Sequence, residues 1–137
     1  MTDQDQIREL QGRWAELDGD HDAEGVSRLF TEDGRYISGR GEFVGRESIR
    51  KSIDDRTAAN PDRHVTHIFG PGIITVDGDT AESRYEYVAY GRVGEDDWQI
   101  MSIGRFQNRL VRHGDGWLFS ELHNRAIRSG RIGVPKS

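Results

Sequence analysis

Aspartate and histidine side chains in this sequence can work together to move protons, and their spacing limits which of them can cooperate. Asp18, Asp20 and Asp22 stand at alternate positions, and His64 and His67 stand three apart. A neutral imidazole takes up and returns protons near neutral pH, and a carboxylate holding its second nitrogen fixes the tautomer and stabilises the imidazolium. In an apolar pocket such a pair removes a proton beside a carbonyl or a leaving group. That is the chemistry of elimination, isomerisation or aldol-type cyclisation. Residues three apart on a strand point to opposite faces, so only one of His64 and His67 can line a cavity.

The aspartates also have plainer uses. Alternate acids imitate the first half of a calcium loop, but Ala23 and Leu29 stand where that loop needs glycine and a bidentate glutamate. A solvated turn with Asp22 as a helix N-cap accounts for Asp20 and Asp22. Asp18 fits less well, because it closes a helix whose negative dipole end repels a carboxylate, and local rules broken in this way are enriched at functional sites. His21, His113 and His123 fall in separate elements, the chain has no cysteine, and no helical His pair with a nearby glutamate occurs. No metal and no cofactor is therefore expected, and GxSxG, P-loop and GxGxxG patterns are absent.

The elements that must position these groups follow from periodicity. Ile7, Leu10, Trp14 and Leu17 make one apolar stripe over Asp3 to Leu17, which predicts a first helix. Val26, Leu29 and Phe30 mark a short second helix after Asp22. A brief strand over Gly34 to Ser38 and a glycine turn lead through Phe43 and Val44 to a third helix, from Arg46 to about Ala59, that Asn60-Pro61 ends. From Arg63 onward long strands alternate with turns at Asp77-Gly78-Asp79 and Gly114-Asp115-Gly116, which predicts an antiparallel meander. Ala81, Ser83, Tyr85, Tyr87 and Ala89 share one face. On the next strand Trp98, Ile100, Ser102, Gly104, Phe106, Asn108 and Leu110 oppose Met101, Ile103 and Arg105.

In this order, Phe30-x-x-Asp33, Gly45-Arg46-Glu47, Arg63-His64, Asp77-Gly78-Asp79 and Gly116-Trp117 resemble the SnoaL-like branch of the NTF2-like superfamily over roughly residues 5 to 127. The resemblance implies an α+β cone: a curved antiparallel sheet with three N-terminal helices packed on its concave face. Members include polyketide cyclases, scytalone dehydratase, a dehydrochlorinase, ketosteroid isomerase, limonene epoxide hydrolase and pure binding domains, so the fold alone does not choose a reaction. In the dehydratase and dehydrochlorinase an Asp ending helix one works with a His entering the first long strand. The matching positions here are Asp18 and His64, with Asp20 and His67 as the substitutes. Leu17 stands where the dehydratase has a helix-one Tyr, and Tyr85, Tyr87 and Tyr90 occupy the strand of its second His, which argues against the same substrate.

The expected function is a pocket for a small hydrophobic ligand or substrate, lined by Trp14, Tyr36, Tyr85, Tyr87, Phe106, Asn108 and His123. The expected activity is a cofactor-independent lyase or isomerase. The alternatives are a silent binding or assembly subunit and an epoxide hydrolase.

A chain of 137 residues with 34% hydrophobic and 31% charged residues suits one domain over 1–137, with a loose tail from about residue 128. A net charge of −5 and scattered basic residues argue against nucleic acid as a partner. No apolar run reaches the roughly twenty residues that span a bilayer, and the N-terminus lacks a signal-peptide pattern, so a cytoplasmic protein is expected. Met101, Ile103 and Val111 on an outer sheet face predict a homodimer through the sheet.

Overall fold

The computed structural model describes residues 1–92 and 95–130. Helix α1 (Asp3–Gly19) starts at a capping box, in which Thr2 Oγ1 accepts from Asp5 N at 3.1 Å while the Asp5 carboxylate reaches back to Thr2 N. Helix α2 (Ala23–Ser27) starts at Asp22, whose carboxylate accepts from Gly25 N at 2.9 Å, the N-cap its position predicts. Strands β1 (Phe30–Ser38) and β2 (Gly41–Val44) form a hairpin that leads into α3 (Arg46–Ala59). Strands β3 (His64–Phe69), β4 (Ile73–Asp77), β5 (Thr80–Arg92), β6 (Trp98–His113) and β7 (Gly116–Ser129) follow.

The strands make one open, curved sheet ordered β2-β1-β7-β6-β5-β3, with β4 also on β5. The meander β5-β6-β7 is antiparallel as its turns predict, but β1 joins β7 in parallel, so the sheet is mixed rather than wholly antiparallel. That pairing joins the first strand to the last, and nothing local encodes it. Strands β3 and β4 are two halves of one edge, broken at Gly70-Pro71-Gly72, and both pair with β5. Gly72 holds φ at +64° directly over Arg84 and Tyr85.

Ala81, Ser83, Tyr85, Tyr87 and Ala89 are buried along β5, and the core gathers against them from Ile7, Trp14, Phe30, Ile49, Ile53, Phe106, Phe119 and Leu122. Helix α1 packs on β3, β4 and β7, and α3 packs on β1, β2 and α2.

The alternation on β6 departs from a simple period of two. Ala89 pairs with Ser102 but Tyr90 pairs with Ile100, so Met101 is the extra residue of a bulge. Trp98 and Ile100 therefore lie on the outer face, 52% and 42% exposed, while Met101 and Ser102 both border the inner cavity. The expected outer position of Met101 is corrected by this one-residue insertion. Strand β7 continues through Ser129, so the first residues of the tail expected from about residue 128 belong to the sheet, and its remainder, 131–137, lies outside the described residues. Among the described residues no helix is long and apolar enough to cross a membrane.

Candidate functional site

Two helices each carry a charged residue where their buried stripe would continue. On α1 the buried positions are Ile7, Leu10, Gln11, Trp14 and then Asp18, one turn beyond the tryptophan. On α3 they are Ile49, Ser52 and Ile53, and Arg56 follows three residues on. These extensions meet: Arg56 Nη2 donates to Asp18 Oδ1 at 3.0 Å, with the side chains 12% and 1% exposed. Such a buried ion pair is tolerated because each charge satisfies the other.

Strand β3 supplies the histidine. Val65, His67 and Phe69 alternate inward, and His67 is packed edge-on to Trp14 at 5.1 Å, with Tyr87 at 5.8 Å and Phe106 at 6.0 Å. His64, three residues earlier, is exposed on the opposite face, its ring 5.3 Å from Trp98. The family position therefore points away from the cavity, and the strand's period of two brings His67 to it instead. Asp20 is the exposed C-cap of α1 and takes no part in the site.

His67 Nδ1 lies 3.9 Å from Asp18 Oδ2, longer than a hydrogen bond. Burial pulls the imidazole down to a pKa of about 4; Asp18 opposes this, and the positive charges of Arg63 and Arg56 reinforce it. His67 is thus neutral at pH 7. Burial, helped by the Asp18 charge, raises the pKa of the Tyr36 hydroxyl and keeps it protonated.

These groups border a cavity of about 560 Å³, with Asp18, Tyr36, Arg40, Arg56, Arg63, His67, Tyr87, Ser102 and Asn124 on its walls. Tyr87 and Ser102 bond each other through their hydroxyls at 2.7 Å. Among the described residues, three buried polar atoms of the lining have no hydrogen-bond partner: His67 Nδ1, Arg56 Nε and Asn124 Oδ1. Buried polar groups are nearly always satisfied, so these three atoms are open to a hydrogen bond from a ligand or water in the cavity.

Of the aromatic walls expected from sequence, Tyr36 and Tyr87 border this cavity. Trp14, Tyr85 and Phe106 are 3% exposed or less and fill the core beside it. Asn108 is also buried there, donating to Tyr85 OH at 3.0 Å and to Ser83 Oγ at 3.3 Å. His123 alternates away from Leu122 and Asn124, and borders a separate depression of about 390 Å³ with Arg84, Gln107 and Glu121. Sequence reasoning missed Arg40, Arg56, Arg63 and Asn124. The signal for Arg56 was available: it extends an apolar stripe at helical spacing, as Asp18 does.

Among the described residues no cluster of three or more His, Asp or Glu side chains is placed to hold a metal.

Among the described residues, a curved mixed sheet with three N-terminal helices makes an NTF2-like, cystatin-like fold. The chain belongs to the SnoaL-like domain family, whose model matches residues 1–123. An NTF2-like protein with a cystatin-like fold from Novosphingobium aromaticivorans is 31% identical, covering 91% of this chain and 82% of its own, with a TM-score of 0.80. A Mycobacterium tuberculosis protein of unknown function is 26% identical over 90% of this chain and 70% of its own, also with a TM-score of 0.80. A Catenulispora acidiphila structure in complex with S-DNPA shares the fold at 21% identity, covering 85% and 87% of the two chains with a TM-score of 0.75. Among curated proteins, none matches the sequence.

Proposed function

We propose that this protein is a cofactor-independent lyase or isomerase acting on a small apolar carbonyl compound, with His67 as its general base. The observation that carries this reading is a buried, neutral imidazole on an open cavity, next to a buried carboxylate and with its Nδ1 unpartnered. In this reading Nδ1–H faces Asp18, Nε2 takes the proton, and a shift of about 1 Å closes the 3.9 Å gap as the imidazolium forms. The protonated Tyr36 hydroxyl donates to the oxygen on which charge develops. Binding of a small molecule by a protein of the same fold, the Catenulispora complex, agrees with the cavity being a ligand site.

The gap between Asp18 and His67 favours one rival, a binding domain in which the cavity holds a ligand without turnover. An epoxide hydrolase needs a second carboxylate beside the Asp18–Arg56 pair, and Asp18 is the one acidic residue among the described walls.

The test uses 2-tetralone as a carbon-acid probe, with loss of its α-protons in D₂O followed by NMR. Exchange faster than buffer, lowered on the order of a hundredfold in His67→Ala, is the expected result. Equal exchange by the wild type and His67→Ala overturns the base assignment.

For assembly we propose a homodimer through the outer sheet face. Ile68, Val88, Trp98 and Ile100 are each more than a third exposed there. Ile68 pairs with Val88 and Ile100 with Tyr90, so they form one patch of the kind that soluble monomers seldom leave bare.

A further inference from the structure

The walls of the cavity are lopsided in charge: Arg40, Arg56 and Arg63 face one carboxylate, Asp18, which Arg56 already neutralises. Arg40 is engaged through Nη2, which donates to the Ser52 carbonyl at 2.8 Å. Arg63 differs from both. Its guanidinium has no hydrogen bond or ion pair among the described residues, although Asp62 and Glu95 border an adjoining recess of about 580 Å³ that it also lines. Its backbone, by contrast, is fixed: His21, at a φ of 59°, donates from Nε2 to the Arg63 carbonyl at 2.7 Å. Arg63 is thus an anchored, half-buried arginine with a free fork on the same cavity as Arg56, whose Nε is also unpartnered among the described residues, and a planar, bidentate anion suits such donors.

We infer that the cavity takes an apolar ligand bearing a carboxylate, which Arg63 holds with help from Arg56, an inference that rests on the proposed reading of this cavity as the ligand site. The apolar body of the ligand lies toward Tyr36, Val65, Tyr87 and Ala89, and the carboxylate toward the arginines. Asp18 does not repel it strongly, because its charge is already shared with Arg56. Burial and then the charge of Arg56 lower the pKa of Arg63, so its charged form is held at a cost in free energy that an anion offsets.

The experiment is calorimetric titration with 2-naphthoate and with 2-naphthamide, which share shape and differ in charge. In low-salt buffer the wild type binds naphthoate about tenfold or more tightly than the amide. Arg63→Gln removes most of that preference and leaves the amide within about twofold, and Arg63→Lys, a point charge without the fork, recovers part of it. Circular dichroism and thermal midpoints establish that both variants fold. Equal affinity of the wild type for the two probes, or a preference that survives Arg63→Gln, overturns the carboxylate site while leaving the base reading intact, because 2-tetralone is uncharged. Failure of both probes to bind overturns the ligand-site reading together with this inference.

Discussion

Asp18 Oδ2 stands 3.9 Å from His67 Nδ1 while Asp18 Oδ1 accepts from Arg56 at 3.0 Å. The carboxylate is thus bonded on one side and free on the other. The free oxygen faces the imidazole that burial keeps neutral, so the pair gains contact when His67 acquires a proton and not before.

The two histidines of β3 are expected to separate by function. His67→Ala and Asp18→Asn each lower turnover of an identified substrate, the first on the order of a hundredfold, while His64→Ala on the outer face leaves it unchanged. Loss of turnover in His64→Ala with none in His67→Ala would reject the inward assignment.

Stability depends on pH through His67. Its folded pKa of about 4 lies below the unfolded value of 6.5, so between these pH values the unfolded chain binds more protons and stability falls as pH falls. The contribution is complete above about pH 6.5 and lost by about pH 4, on the order of 3 kcal/mol. Urea midpoints at pH 7 and pH 5 check this: His67→Gln loses less stability than the wild type over the interval.

Arg56→Met leaves the Asp18 carboxylate buried and unpaired, at a cost of about 3–5 kcal/mol in urea unfolding. Adding Asp18→Asn recovers part of the loss. If the double variant is no more stable than Arg56→Met alone, the ion pair is not what holds α1 to α3 at this point.

Gly104 lies across from Tyr87, and a Cβ there meets the Arg125 carbonyl oxygen and, at 2.9 Å, Tyr87 Cε1. Backbone on one side leaves no room to relax. Gly104→Ala is expected to lower stability by about 1–3 kcal/mol and to disturb the Tyr87–Ser102 bond at the cavity wall. A thermal midpoint equal to the wild type would show that β6 and β7 move apart freely.

Light scattering at micromolar concentration is expected to give a dimer, and Val88→Lys with Ile100→Lys a monomer of unchanged circular dichroism. A wild-type monomer rejects assembly through this face.

Much of the architecture was legible because it is written in short-range periodicity. The stripe of Ile7, Leu10 and Trp14, the Asp22 cap, the third helix from Arg46 to Ala59 and the alternation along β5 each depend on residues a few positions apart. The family resemblance came from the order of such local motifs, and it singled out Asp18, which lies buried near the end of α1. Tertiary structure decided what those rules cannot reach. A one-residue bulge at Met101 reversed the faces of Trp98 and Ile100, and β1 found β7 across the length of the chain. The inward histidine was fixed when β3 docked its Val65 face on the core, since a strand's period of two admits either His64 or His67 until one face is buried. Arg56 and Arg63 entered the site for the same reason: a charge is placed by what packs around it, and that packing is set by contacts dozens of residues away.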